Sequence, residues 1–196
     1  GTWSLLPMIW TLSTSFKGIK EIYGPPTFFP RNPSFHNYLY MFDYLQDLPI
    51  FFRNSVIVSL GTVALRIFCA SLMGYAFARM DFRGRDLIFY TMIVAMFIPR
   101  AGVLMATYEL MATLHLRNSL LGLILYFSSG LSVPLFIMRQ SFLAVPRELE
   151  DSAVIDGASR WQLFWHVAVP FGKSGMTLVG VLAFVQVWGD YLITLT

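Results

Sequence analysis

Apolar and polar residues divide this chain into long blocks. Apolar runs cover residues 1–16, 54–78, 87–106, 119–142 and 174–196, and polar stretches at 17–49, 79–86, 108–118 and 143–173 separate them. Runs of about 20 apolar residues match the hydrocarbon thickness of a bilayer when they are helical. The pattern predicts an all-α fold, a polytopic transmembrane helical bundle, read as a single domain over residues 1–196. The first run has 16 residues, fewer than the roughly 20 a crossing needs. It is expected to be a span clipped at its start, and 174–196 a span cut off at its end.

Within the blocks, local chemistry sharpens the picture. Pro25, Pro26, Pro30 and Pro33 fall together in 17–49, which is expected to be irregular and outside lipid, because lipid cannot satisfy open backbone. Ala70, Gly74 and Ala78 recur every four residues and make a small-residue stripe for close helix packing. Residues 79–86 (R-M-D-F-R-G-R-D) form a charged turn. Pro99 is expected to kink the run 87–106, residues 108–118 to be a short outer connection, and Pro134 to interrupt 119–142.

Composition agrees with a membrane protein. The chain is 56% hydrophobic and 13% charged, where a soluble domain carries about 25% charged residues. Its arginines flank apolar runs and form no stripe with interleaved aromatics, which argues against nucleic acid as a partner. Cys69 is alone in an apolar run, so no disulfide forms within the chain. Arg79, Arg83, Arg85, Arg139, Arg147, Arg160 and Lys173 lie in or beside 79–86 and 143–173. The alternate segments hold Lys17, Lys20, Arg31 and Arg117. This bias places 79–86 and 143–173 on the cytoplasmic side.

The segment 146–170 is the longest polar-rich interruption in the second half. Pro146 suits a helix start, where its missing N–H is not needed. Glu148, Glu150 and Asp151 crowd the first turn, where negative charge favours the helix dipole. Leu149, Ser152, Ala153 and Ile155 give a small-to-apolar face, and Gly157 permits a left-handed cap after about two turns. Trp161, Leu163, Phe164 and Trp165 follow along the membrane surface, and Pro170 is expected to turn the chain into the next span. A short helix exposing small residues to a partner is one reading, and an ordinary interfacial loop is the other.

The segment resembles the E-A-A loop of the membrane subunits of binding-protein-dependent ABC importers. That pattern is E-A-A, three residues, G, nine residues, I-x-L-P. Here Asp151-Ser152-Ala153 stands for E-A-A, Gly157 follows after three residues, and Val167-Ala168-Val169-Pro170 after nine more. Asp156-Gly157 matches the usual D-G pair. Asp151 replaces Glu, Ser152 replaces the first Ala, and Val replaces both Ile and Leu. Further stretches are similar to the carbohydrate branch, the maltose and glycerol-3-phosphate permeases. These are Pro7 to Trp10 with Ser13 to Lys17, then Arg53-Asn54-Ser55, Gly74 to Arg79, and Phe82 to Arg85. Trp188-Gly189-Asp190-Tyr191 resembles a W-N-D/E-F/Y signature, with Gly189 in place of Asn.

The resemblance implies a type I importer permease with about five of the family's six spans present, and 143–173 as the cytoplasmic coupling loop. It implies a multi-pass protein of a prokaryotic cytoplasmic membrane that carries a sugar or sugar derivative. The expected partners are two ATP-binding subunits, a second permease subunit (a different chain in the maltose-like branch), an external solute-binding protein and the lipid bilayer. Glu150, Asp151, Ser152, Ala153, Ile155, Asp156, Gly157, Ala158 and Pro170 would carry coupling to the ATPase. The chain contains no G-x-x-x-x-G-K-S/T run, so ATP and Mg are expected in the partner, and this chain is expected to have no cofactor and no catalysis of its own.

Single residues add a candidate solute path. Asp190 lies about sixteen residues into the last apolar run, and an intramembrane acid marks a functional position. Gln186, Trp188 and Tyr191 would offer amide and aromatic surfaces beside it. Arg66 is deep in its run, where a cavity or a subunit interface accounts for it better than snorkelling does. Arg100 is near a run's end, where snorkelling suffices. His36, His115 and His166 are in separate segments and form no metal set. Packing and interface anchoring remain alternative roles for the path residues. Three competing functions stand beside the sugar permease: a permease for another solute class, a channel, and a polytopic enzyme such as an intramembrane aspartyl protease. The last needs two facing carboxylates, and no second acid lies in an apolar run beside Asp190.

Overall fold

The computed structural model describes residues 2–98 and 104–190, and every regular element among them is helical. Pro99, Arg100 and Tyr191 lie outside the described residues. Two compact units divide the chain at Arg53 and Asn54.

The first unit holds a 3-10 turn (Thr2–Leu5), α1 (Leu6–Ser15), α2 (Ile19–Ile22) and α3 (His36–Tyr44). The proline-rich stretch is more ordered than its composition predicts, because polar side chains satisfy its open backbone. Asn37 donates from Nδ2 to the carbonyls of Ser15 (2.9 Å) and Lys17 (2.8 Å), closing the end of α1. Lys17 is buried. Its ammonium is 4.7 Å from the centre of the Trp10 ring and donates to the Thr27 carbonyl. Glu21 Oε1 accepts from the Arg31 N–H (2.9 Å) and the Thr27 hydroxyl (3.1 Å).

The longest element is α4 (Leu48–Arg79), 32 residues that start six positions before the expected span. Then come α5 (Arg85–Ala95), α6 (Leu104–Thr113), α7 (Leu120–Ser128), α8 (Ser132–Leu143), α9 (Arg147–Ile155) and α10 (Arg160–Leu163). A five-residue π-helix (Phe164–Ala168), α11 (Val169–Phe171) and α12 (Lys173–Trp188) complete the second unit.

Three further boundaries differ from expectation. The stretch read as an outer connection at 108–118 is helical through Thr113, and the chain turns only around His115 and Asn118, both at positive φ (56° and 52°). The break in 119–142 falls between Ser128 and Ser132, before Pro134. That proline sits in the first turn of α8, where no N–H partner is lost. The corner into the last run is at Gly172, not Pro170. A Cβ on Gly172 would lie 2.6 Å from Phe142 Cε1, so only glycine fits there. The wide π turn lies immediately before Pro170, whose ring opposes regular α register.

Among the described residues, α4 is the one helix long and apolar enough to cross a membrane alone. The pair α7 and α8, bent by 56°, and the pair Arg160–Phe171 and Lys173–Trp188, bent by 73°, raise the number to three if each is one span.

The small-residue stripe does what its spacing predicts. Ala70 and Ala78 are buried with Tyr75 against Met138, Phe142, Phe164 and Val179. A Cβ on Gly74 would lie 2.5 Å from Met138 Cβ, so α4 and α8 meet backbone to backbone. A second cluster joins Phe77, Phe89 and Leu135. Beside it, Arg139 donates from Nε to the Phe77 carbonyl (3.3 Å) and lies 4.4 Å from the centre of the Phe89 ring.

Candidate functional site

The polar segment folds as two short helical arms joined at Gly157. Pro146 occupies the N-cap of α9 with extended backbone (φ −58°, ψ 135°), and Glu148 and Glu150 fall in its first turn. At the other end Gly157 has φ +85°. Its N–H donates to the Val154 carbonyl (3.0 Å), and the Ala158 N–H donates to the Ala153 carbonyl (2.9 Å). These are the two bonds of a Schellman ending, which needs a left-handed residue at this position. Ser159 then caps α10. Its hydroxyl accepts from the Gln162 N–H (3.3 Å), while Gln162 Oε1 accepts from the Ser159 N–H (2.7 Å). The bend is therefore fixed on both sides by local hydrogen bonds. A pocket of about 240 Å³ lies between the arms, lined among others by Ala153, Asp156, Gly157, Gln162 and His166.

The outward face of α9 carries Asp151, Ser152, Val154, Ile155 and Asp156, all exposed, with Ile155 at 85%. Ala153 and Ala158 are half-buried and Pro170 is exposed. Glu150 differs from the other residues expected at the loop's outer face. Its carboxylate is turned inward, where Oε1 is 2.9 Å from Nε of Arg79, the last residue of α4. The two side chains are 15% and 5% exposed. Arg79 also donates from Nη2 to the carbonyl of Val145 in the linker ahead of α9. One helical turn earlier, Tyr75 packs edge-on against Phe142 (5.9 Å) and Phe164 (5.3 Å), so the end of α4 holds both flanks of the segment.

A second feature surrounds Arg66. This side chain is buried in α4, with 3% exposure. It donates from Nη1 to Gln186 Oε1 on α12 (2.9 Å) and from Nη2 to the Phe127 carbonyl on α7. Both Arg66 and Gln186 line a cavity of about 630 Å³, together with Tyr126, Ser129, Ser132 and Thr107. The two residues singled out in the sequence thus meet at one wall. Trp188 and Asp190 are not in that lining. Trp188 stacks on Phe184 (5.4 Å, 17°), and the Asp190 N–H bonds to the Val187 carbonyl (3.2 Å) just past the end of α12. Sequence reasoning missed Tyr126, Ser129 and Ser132. Their signal was the Ser128-Ser129-Gly130 run, which marks the α7–α8 break that opens the cavity.

Comparison with known proteins bears on the family and the fold. The family described as "Binding-protein-dependent transport system inner membrane component" matches residues 66–196. The chain is 37% identical over 194 residues to the sulfoquinovosyl glycerol transport system permease protein of Agrobacterium fabrum, covering 98% of this chain and 68% of the relative. It is 31% identical over 195 residues to the diacetylchitobiose uptake system permease protein of Streptomyces coelicolor, covering 97% and 64%. The chain thus spans about two thirds of the length of these relatives. A solved structure of a bacterial ABC transporter involved in the import of the acidic polysaccharide alginate matches with a TM-score of 0.82 and 21% identity, covering 97% of this chain and 67% of that one. At that identity the likeness establishes the fold.

Proposed function

This chain belongs to the binding-protein-dependent transport system inner membrane component family, and we propose that it is the permease subunit of an ATP-driven importer of a sugar or sugar derivative. The observation that carries the reading is α9: a short helix with a fixed Schellman end, held at one side to α4 and presenting acids, small residues and Ile155 outward. An isolated nine-residue helix is marginal in water, so its order depends on those ends and on Arg79. Such an element suits docking into a groove of another subunit.

On this reading α9 and the bend at Gly157 form the cytoplasmic coupling loop within residues 143–173, and Asp151, Ser152, Ala153, Ile155, Asp156 and Ala158 meet an ATP-binding subunit. Two such subunits supply ATP and Mg, so hydrolysis occurs outside this chain. A second permease subunit, a different chain, completes the path, and an external binding protein delivers the solute. The assembly sits in the cytoplasmic membrane of a prokaryote, and alternating access exposes the path to each side in turn. The cavity at Arg66 and Gln186 is the path's candidate wall. It offers an amide, a guanidinium, hydroxyls and the Tyr126 ring, groups that hydrogen-bond and stack on polyhydroxyl solutes. Transport names among relatives support the sugar class, since the two quoted above are named for a sulfoquinovosyl glycerol and a chitobiose derivative.

The test is uptake by the assembled transporter in proteoliposomes with its binding protein. Radiolabelled mono- and oligosaccharides should accumulate with ATP inside, and amino acids and short peptides should not. Accumulation of an amino acid or peptide with no sugar uptake would refute the sugar assignment.

A further inference from the structure

The tie between α9 and α4 extends the coupling reading, and rests on it. Within the chain, α9 is secured at its first turn, where Glu150 meets Arg79 at 2.9 Å, and through the Val145 carbonyl, which accepts from the same guanidinium. The pair joins the negative end of one helix dipole to the positive end of the other. Arg79 is at the C-terminus of α4 and Glu150 in the first turn of α9, so each charge is placed where the dipole of its own helix favours it. Both side chains are largely shielded from water, where a charge pair is screened less than at the surface.

The same helix leads to the cavity. Arg66 is thirteen residues before Arg79 on α4, about 20 Å along a helix at 1.5 Å per residue. There it is bonded to Gln186 of α12 and to the Phe127 carbonyl of α7. Residues 66 to 79 contain no break in helical structure. Close packing of Ala70, Gly74 and Ala78 on α8 makes this stretch stiff.

We infer that Arg79 and Glu150 form a latch that makes α9 and α4 move as one body, so that displacement of α9 by the ATP-binding subunit reaches the Arg66 wall of the cavity. Neither residue touches solute or nucleotide, and both act as positioning residues. Arg79 has a double duty. Its Nε side holds the first turn of α9, and its Nη2 side holds the linker from α8, so the angle of α9 is set from two directions.

The experiment uses the full-length transporter, assembled with its ATP-binding subunits and reconstituted, with ATP hydrolysis and solute uptake measured together. Glu150→Gln keeps the shape and removes the charge. It should leave assembly and hydrolysis intact and lower solute taken up per ATP by roughly three- to tenfold, the scale on which residues along a coupling route act. Glu150→Asp, which keeps the negative charge in the first turn of α9, should retain part of the ratio that Glu150→Gln loses, which a residue acting through shape alone would not do. An unchanged uptake-to-hydrolysis ratio in Glu150→Gln would overturn the latch. Should Glu150→Gln fail to assemble, spin labels at Glu148 and Leu60 of the otherwise unsubstituted transporter decide the matter. Their separation should stay constant when ATP binds, and a change of several ångströms would overturn the latch. If instead no ATP-binding subunit assembles with the unsubstituted chain, the coupling reading itself fails and the latch falls with it.

Discussion

Arg66 on α4 donates from Nη1 to Gln186 Oε1 on α12 at 2.9 Å, and its Nη2 reaches the Phe127 carbonyl on α7. One buried guanidinium thus ties three helices together beside a cavity of about 630 Å³. Replacing it by methionine removes the charge and leaves Gln186 and the carbonyl without this donor. Leaving a buried polar partner unsatisfied costs about 1–3 kcal/mol. Arg66→Met should therefore lower the thermal midpoint in detergent and abolish uptake. A midpoint and uptake equal to those of the parent would show that the tie is dispensable.

Gly74 faces Met138 with room for no side chain, since a Cβ there would lie 2.5 Å from Met138 Cβ. Gly74→Val should cost about 1–3 kcal/mol through overpacking, with Gly74→Ala intermediate. Thermal unfolding of the purified variants in one detergent checks the order.

Gly157 should respond in the opposite manner, through function with little change in folding. Its φ of +85° strains any residue with a Cβ, although nothing lies within 4 Å of that position. A left-handed non-glycine residue costs about 1–2 kcal/mol, confined to the end of α9. Gly157→Trp should uncouple hydrolysis from uptake while the helices keep the parent's circular dichroism and melting behaviour. Normal uptake by this variant would contradict the role given to the bend.

Outside the apolar runs, Glu21 at the end of α2 organises the loop around Thr27 and Arg31. The Arg31 N–H is the main influence holding its carboxyl below the ordinary 4.5, with the Thr27 hydroxyl contributing in the same direction and partial desolvation opposing. A lowered carboxyl stabilises the folded loop above pH 4.5 and loses that contribution as pH falls through the lowered value. Hydrogen exchange at the Arg31 amide, corrected for its intrinsic pH dependence, should accelerate in that window. Glu21→Gln should remove the step.

Local features were legible in the sequence and distant ones were not. The start of α9 at Pro146, its acidic first turn and its end at Gly157 all depend on residues within a few positions of one another. The small stripe of Ala70, Gly74 and Ala78 was likewise readable, because helical period alone puts them on one face. By contrast, Glu150 was read as partner-facing, since nothing nearby in sequence indicates that Arg79 stands opposite it. The corner was assigned to Pro170 by its chemistry, yet it falls at Gly172, packed against Phe142 thirty positions earlier in the chain. The depth of Arg66 in its run flagged a special role, but its partners on α7 and α12 belong to tertiary packing. Pro134 misled for a related reason: a proline that breaks a helix interior is harmless in a first turn, and only the position of Ser132 distinguishes the two cases.

Coupling requires that α9 dock on an ATP-binding subunit. The most direct test is mild-detergent purification of the tagged full-length protein followed by mass spectrometry of whatever accompanies it. An ATP-binding subunit together with a second multi-span protein should accompany it. Recovery of the protein alone across several detergents would contradict the docking role of α9 and return the stand-alone channel and enzyme readings to consideration.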